Sequence, residues 1–176
     1  MSDSFGIGPV ELFKNVRLFS GLDHAELTQI LRMARPVSFL AGDRLFEEGS
    51  PADGLYVIEL GEVEVVIHHE DEPDLVLAHL GNGSVIGEMA LIDGGARSAS
   101  VAVISPTQGY FLHRDRFEQL RNSGETSAYK IIHSLAQILD ERRRQLQVRV
   151  DQLRLEPPIG VLERATKELA ARVRKA

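Results

Sequence analysis

The chain has 176 residues, 43% hydrophobic and 26% charged, a balance found in globular proteins and outside the disordered and fibrous extremes, and it is long enough for one cored domain with an appended helix. It contains no cysteine, which excludes disulfides, thiolate metal sites and a cysteine nucleophile. The net charge of -6 is unevenly spread, with 6 Lys/Arg against 17 Asp/Glu in residues 1–111 and 14 against 9 in residues 112–176, so an acidic body ill suited to a nucleic-acid backbone precedes a basic tail.

Residues 1–10 lack the basic start and apolar run of a signal peptide, and no stretch has the apolar length of a membrane span, so the expected location is the cytoplasm. Residues 10–35 read as helical. Leu27, Ile30, Leu31 and Ala34 follow the i, i+3, i+4, i+7 spacing, Asp23 and Glu26 form a capping box, and Pro36 ends the run.

From residue 37 to 112 the pattern changes to short alternating runs separated by Gly, Pro, Asn and Asp, the pattern of an antiparallel barrel or sandwich. Val63, Val65 and Ile67 alternate with Glu62, Glu64 and His68, placing one face inward and the other toward water. Leu75 and Leu77 repeat the pattern, as do Val101 and Val103. After residue 112 the period is helical again, first around residues 114–121 and then, past Asn122-Ser123-Gly124, in a run to about residue 155. Ile132, Leu139, Leu146 and Leu153 recur every seven residues, with Ala128 and Leu135 between them before Arg142 and Arg149 take over, which is half of a coiled-coil seam. Pro157-Pro158 stops this run, and Val161, Leu162, Ala165, Leu169 and Val173 mark one more amphipathic helix. The expected division is residues 1–122 for the strand-rich body with its helical lead-in and hinge helix, 123–155 for the long helix, and 156–176 for the terminal helix.

The chemistry concentrates in residues 84–100. Gly87 lets backbone approach a ligand, Met89 to Ile92 form a short apolar turn able to present amides, Asp93-Gly94-Gly95 is a flexible link, and Arg97 follows. Amides at a helix start together with a guanidinium suit an anionic phosphate. Glu88 is useless against phosphate but suited to accept hydrogen bonds from a hydroxyl, and the combination describes a sugar phosphate.

Gly87-Glu88-Met89-Ala90-Leu91 and Arg97-Ser98-Ala99 resemble the phosphate-binding cassette of the cyclic-nucleotide-binding domain family, which includes the bacterial catabolite activator protein, the regulatory subunits of protein kinase A and the cyclic-nucleotide-gated channels. Val16-Arg17-Leu18-Phe19-Ser20-Gly21-Leu22, Gly42-Asp43-Arg44-Leu45-Phe46-Glu47-Glu48-Gly49 and Leu55-Tyr56-Val57-Ile58-Glu59-Leu60-Gly61-Glu62-Val63-Glu64-Val65 look like further signatures of the family, so the resemblance covers about residues 12–153. It implies a mainly β fold with flanking helices: an eight-stranded, jelly-roll-like β-barrel with an N-terminal helical lead-in and long C-terminal helices. It also implies that Glu88 binds a ribose 2′-hydroxyl, that Arg97 pairs with the cyclic phosphate and that Ser98 adds a hydroxyl. The amides of Met89 and Ala90 complete the cradle beside Gly87 and Ala99, and Val65, Leu77 and Ile86 line the apolar space for ribose and base. Arg143, Arg144 and Gln145 are candidates for a base contact from the long helix.

The function this implies is non-enzymatic sensing of a cyclic nucleotide, cyclic AMP ahead of cyclic GMP, relayed through the C-terminal helices to an unknown protein effector. A homodimer through Ile132, Leu139, Leu146 and Leu153 is expected. The alternative is a ligand-free interaction or dimerisation scaffold on the same fold, with Glu88 and Arg97 merely paired across a surface loop. No metal is expected, because His68 and His69 are adjacent on a strand and point to opposite faces while His79 lacks a partner at ligand spacing. Arg142-Arg143-Arg144 reads as a solvated face. Beyond the long helix about 20 residues remain, too few for a winged helix-turn-helix, so no DNA-binding domain is expected.

Overall fold

The computed structural model describes residues 8–68 and 74–155. The expected terminal helix of residues 156–176, His69 and the side chain of Leu153 lie outside the described residues. The chain divides into two compact units, residues 1–136 and 137–176.

The lead-in is helical but broken. Helix α1 spans Pro9–Asn15, a single 3-10 turn spans Arg17–Phe19, and helix α2 spans His24–Met33. Proline in the first turn supplies a pre-set φ where no amide is needed. Val16 is extended at φ -79° and ψ 121°, which ends α1, and the new start at Asp23 is a complete capping box. The Glu26 amide donates to Asp23 Oδ1 at 2.9 Å and the Asp23 amide donates to Glu26 Oε2 at 2.8 Å, satisfying two otherwise orphan donors. The bond from the Glu26 amide, first among the causes, holds the Asp23 carboxyl below its ordinary value. Of the apolar stripe read from the sequence, Leu27 and Ile30 are buried and Leu31 and Ala34 half-buried. The helix ends at Met33, and Pro36 already belongs to the first strand.

Among the described residues eight strands follow: β1 (Arg35–Phe39), β2 (Arg44–Phe46), β3 (Gly54–Leu60), β4 (Val63–Ile67), β5 (Leu75–Leu80), β6 (Val85–Ile86), β7 (Ser100–Val103) and β8 (Thr107–His113). They pair antiparallel in two four-stranded sheets, ordered β1-β8-β3-β6 and β2-β7-β4-β5. The strand-rich body with flanking helices is the expected fold, but the barrel is not closed: each sheet keeps its own edges, and the body is a sandwich. Its inner faces meet in a core of Leu45, Tyr56, Ile58, Val63, Ile86, Val101, Val103 and Phe111. Tyr56 lies between Phe111, at 4.7 Å between ring centroids, and Phe39 and Phe46, each at 6.0 Å.

Strict alternation in β4 and β5 is interrupted. Val65 stands opposite Ala78 and Val66 opposite Val76, so Leu77 is an extra, unpaired residue, a β-bulge on an edge strand. The parity of β4 shifts with it: Val63 and Val66 are the buried residues, while Val65 and Ile67 are half-buried.

Helix α3 spans Arg114–Asn122 and begins at His113, whose Nδ1 accepts the Asp115 amide at 3.1 Å. Gly124, at φ 74°, makes the turn into helix α4, Thr126–Leu155. Within the first unit Ala128, Ile131 and Leu135 of α4 are fully buried. Lys130 pairs with Glu26 at 2.7 Å and the Ser127 hydroxyl bonds Gln29 Oε1 at 3.2 Å, so the start of α4 is docked on α2. In the second unit Leu146 is exposed, and Arg143 and Arg144 pair with Asp140 at 3.0 and 2.7 Å. Those pairs hold the Asp140 carboxyl below its usual range. No described helix is long and apolar enough to cross a membrane.

Candidate ligand-binding site

Strand β6 ends at Gly87, which is left-handed at φ 77°, a conformation that costs glycine little and other residues more. The chain then makes one 3-10 turn, Glu88–Leu91. Ala90 and Leu91 are buried and pin this turn to the body, Glu88 is half-buried, and Met89 and Ile92 are exposed. The Ala90 amide donates to the Gly87 carbonyl at 3.1 Å.

The link Asp93-Gly94-Gly95 is closed on itself by the Gly95 amide donating to Asp93 Oδ1 at 3.1 Å. The chain next runs antiparallel to the β2–β3 loop as a short ladder. The Ala52 amide donates to Gly95 O at 2.9 Å, the Arg97 amide to Ser50 O at 2.8 Å and the Gly49 amide to Arg97 O at 2.8 Å, with Pro51 and Ala96 opposite each other. The position of Arg97 is therefore fixed by backbone bonds.

Its side chain is 3% exposed. Nη2 pairs with Asp53 Oδ1 at 2.8 Å, Nη1 donates to the Gly87 carbonyl at 3.4 Å, and the guanidinium lies over the Phe46 ring with Cζ 4.0 Å from its centroid. A β-carbon on Gly87 would collide with Arg97 Nη1, so the glycine provides the room the guanidinium occupies. Arg97 Nε is buried with no hydrogen-bond partner. A buried, unsatisfied donor on a cation is costly, and a single acceptor reaching Nε would relieve it.

The cassette residues expected from the sequence thus converge. Gly87, Glu88, Met89, Ala90 and Arg97 surround one turn, Ser98 follows on the exposed side, and Ala99 is buried. Ile86 is 4% exposed in the core and Val65 packs against the same cluster. Leu77 stands on the bulge, 52% exposed. Arg143, Arg144 and Gln145 are exposed residues of the second unit. Two partners of Arg97 were missed in the sequence: Asp53, 44 residues away, and Phe46. Asp53 carried a signal, an acid on a Gly-containing turn entering a strand, but so does any turn former. A groove of about 510 Å³ between α1 and α2, lined by Pro9, Lys14, Leu22 and Leu27 among others, shares no residue with the cassette. The described residues contain no group of three metal-ligating side chains.

Tyr56, beneath this site, has its phenol pushed above the ordinary value, first by burial and then by the Asp53 charge.

Comparison with known proteins agrees with this fold. The model of the cyclic nucleotide-binding domain matches residues 36–123, half of the chain. The chain is 28% identical over 105 residues to a CRP-like cAMP-activated global transcriptional regulator of Mycobacterium tuberculosis, covering 60% of this chain and 47% of that one. It is 32% identical over 136 residues to glutaminase 2 of Bradyrhizobium diazoefficiens, covering 77% of this chain and 21% of that protein. It therefore spans about half, or less, of these curated relatives. The crystal structure of a cyclic nucleotide-binding domain from Methylobacillus flagellatus superposes with a TM-score of 0.70 at 28% identity, covering 83% of this chain and 85% of that one. With the family model matching half of the chain and the two-sheet body agreeing, this chain belongs to the cyclic nucleotide-binding domain family.

Proposed function

We propose that this protein is a non-enzymatic sensor of a cyclic nucleotide, cyclic AMP in preference to cyclic GMP, that relays binding through its C-terminal helices to a partner in the cytoplasm. One observation carries the reading: a guanidinium buried at the cassette turn whose Nε–H has no acceptor. A cyclic phosphate at Gly87 would supply that acceptor and a compensating charge, with Asp53 retained on Nη2. Ser98, the amides of Met89 and Ala90 and the small side chain of Ala99 would shape the cradle. For Ala90 this requires its amide to leave the Gly87 carbonyl. Glu88 would take the ribose hydroxyl, and Ile86, Val65 and Leu77 the apolar face.

The cyclic AMP preference draws support from the M. tuberculosis relative, whose name describes it as cAMP-activated. The regulator and the glutaminase share similarity to the same chain, which favours a module whose output is set by what it is joined or bound to. Ligand binding would shift α3 and α4 by differential contacts between bound and free states. The homodimer seam through Ile132, Leu139, Leu146 and Leu153 and the protein effector are part of the same proposal.

A second reading has its own observation: Arg97 is already paired with Asp53 and stacked on Phe46, as a purely structural arginine would be, leaving a ligand-free scaffold. Calorimetric titration with cyclic AMP and cyclic GMP separates the two. Arg97→Ala should weaken binding by about 2–4 kcal/mol, the loss of a charged contact in a largely desolvated site, and Glu88→Ala should weaken it through the ribose. Silence of the unaltered protein toward both nucleotides would leave the scaffold reading standing.

A further inference from the structure

Helix α3 begins with a side chain that belongs structurally to the cassette. The guanidinium of Arg114 is laid across Gly94: a β-carbon at Gly94 would overlap Arg114 Nη1 and Cζ. The guanidinium is fixed there from below, because Glu118 Oε1, one turn along α3, accepts from Nε at 2.8 Å and pairs with Nη2 at 2.8 Å. Both side chains are less than one-third exposed, so this is a partly desolvated pair and not a solvated surface one. The backbone of the same residue reaches the other side of the site, its amide donating to the Asp53 carbonyl at 2.8 Å, while the Asp53 carboxylate holds Arg97.

We propose that Arg114 is a positioning residue of the ligand site: lying over Gly94 and anchored by Glu118, it fixes the glycine link of the cassette against α3 and so sets ligand affinity without touching the ligand. The link needs such a cover. Asp93-Gly94-Gly95 contains two glycines, the residues with the most conformational freedom to lose, and it separates the turn expected to hold the ribose from the arginine expected to hold the phosphate. Restricting it in advance reduces the ordering cost of binding. A side chain at Gly94 would be strained by its left-handed φ of 58° and would displace the guanidinium above it. The affinity part of this inference rests on the cyclic-nucleotide reading; the positioning part does not.

The test is a double-mutant cycle in the full chain with Arg114→Ala, Gly94→Ala and the two combined, read by cyclic AMP affinity and by hydrogen exchange of the amides of residues 88–97 without ligand. Arg114→Ala should weaken affinity roughly tenfold, in the range of ordinary coupling effects, and speed exchange in residues 93–97. Gly94→Ala should weaken affinity by displacing the guanidinium from the link, and less so once Arg114 is alanine, since the φ penalty is common to both backgrounds. Glu118→Gln, which keeps the volume and removes the charge, should give a smaller loss in the same direction and serves if Arg114→Ala does not fold. Strict additivity of the two substitutions, or unchanged affinity and exchange in Arg114→Ala and Glu118→Gln, would overturn the role. If the unaltered chain binds no cyclic nucleotide, the functional reading falls by itself, and the exchange arm of the cycle still decides whether Arg114 positions the link.

Discussion

Replacing Asp53 with alanine isolates the contact that the sequence did not disclose. In the folded chain the Arg97 guanidinium is 3% exposed while the Asp53 side chain is 54% exposed. The pair is therefore buried on one side and solvated on the other. Breaking a fully buried pair by removing one partner costs about 3–5 kcal/mol, and an exposed pair about 0–1 kcal/mol. The mixed geometry places Asp53→Ala between them, at about 1–3 kcal/mol. What remains for the cation is the 3.4 Å bond to Gly87 O and the Phe46 ring, and the ring contributes about 0.5–2 kcal/mol. For a chain of this length the expected loss corresponds to a drop in Tm of about 3–10 °C, measurable by thermal unfolding. Asp53→Asn, which keeps an acceptor of the same shape, should fall in between. The reasoning is refuted if Asp53→Ala melts with the unaltered protein, because Arg97 would then be stabilised by something other than the Asp53 carboxylate.

Gly87→Ala should cost at least about 1–2 kcal/mol from its left-handed φ alone and more from the clash with Arg97 Nη1; a melting temperature within error of the parent would show that the turn can relax without the guanidinium. Burial and the Asp53 charge raise the Tyr56 phenol above its ordinary value. The folded state then holds its proton to higher pH than the unfolded one, and stability should be complete below about pH 10 and decline above it. Removing the phenol in Tyr56→Phe should flatten that decline, and an identical alkaline profile would assign it elsewhere. Paired Leu139→Asp and Leu146→Asp substitutions should lower the mass seen by light scattering if the long helix is the dimer seam, and an unaltered mass would place any association on another surface.

Local patterns were legible; counts that depend on a neighbour were not. The capping box at Asp23 and Glu26 is written within four consecutive residues, and the structure forms it as read; the cassette from Gly87 to Ser98 is equally local, and its residues gather around one turn. The helix break near Val16 escaped because apolar residues continue through it into the 3-10 turn, even though Gly21 gave a stop signal. The bulge at Leu77 could not be seen from β5 alone, since it exists only as a mismatch against Val65 and Val66 on β4. Strand alternation likewise announced two faces but not whether the sheets close, which depends on edge pairing between distant segments. Arg97 stood out in the sequence, yet its burial and its Asp53 and Phe46 partners come from a loop and a strand that only the tertiary fold brings near.

The short ladder between residues 49–52 and 95–97 separates what must be kept from what can be exchanged. Its three bonds are all between main-chain atoms, so they are indifferent to the side chains carried at Ala96 and Ser98, both of which face outward. Side chains of another size or charge can therefore be placed at these two positions while the main-chain mooring of Arg97 stays intact.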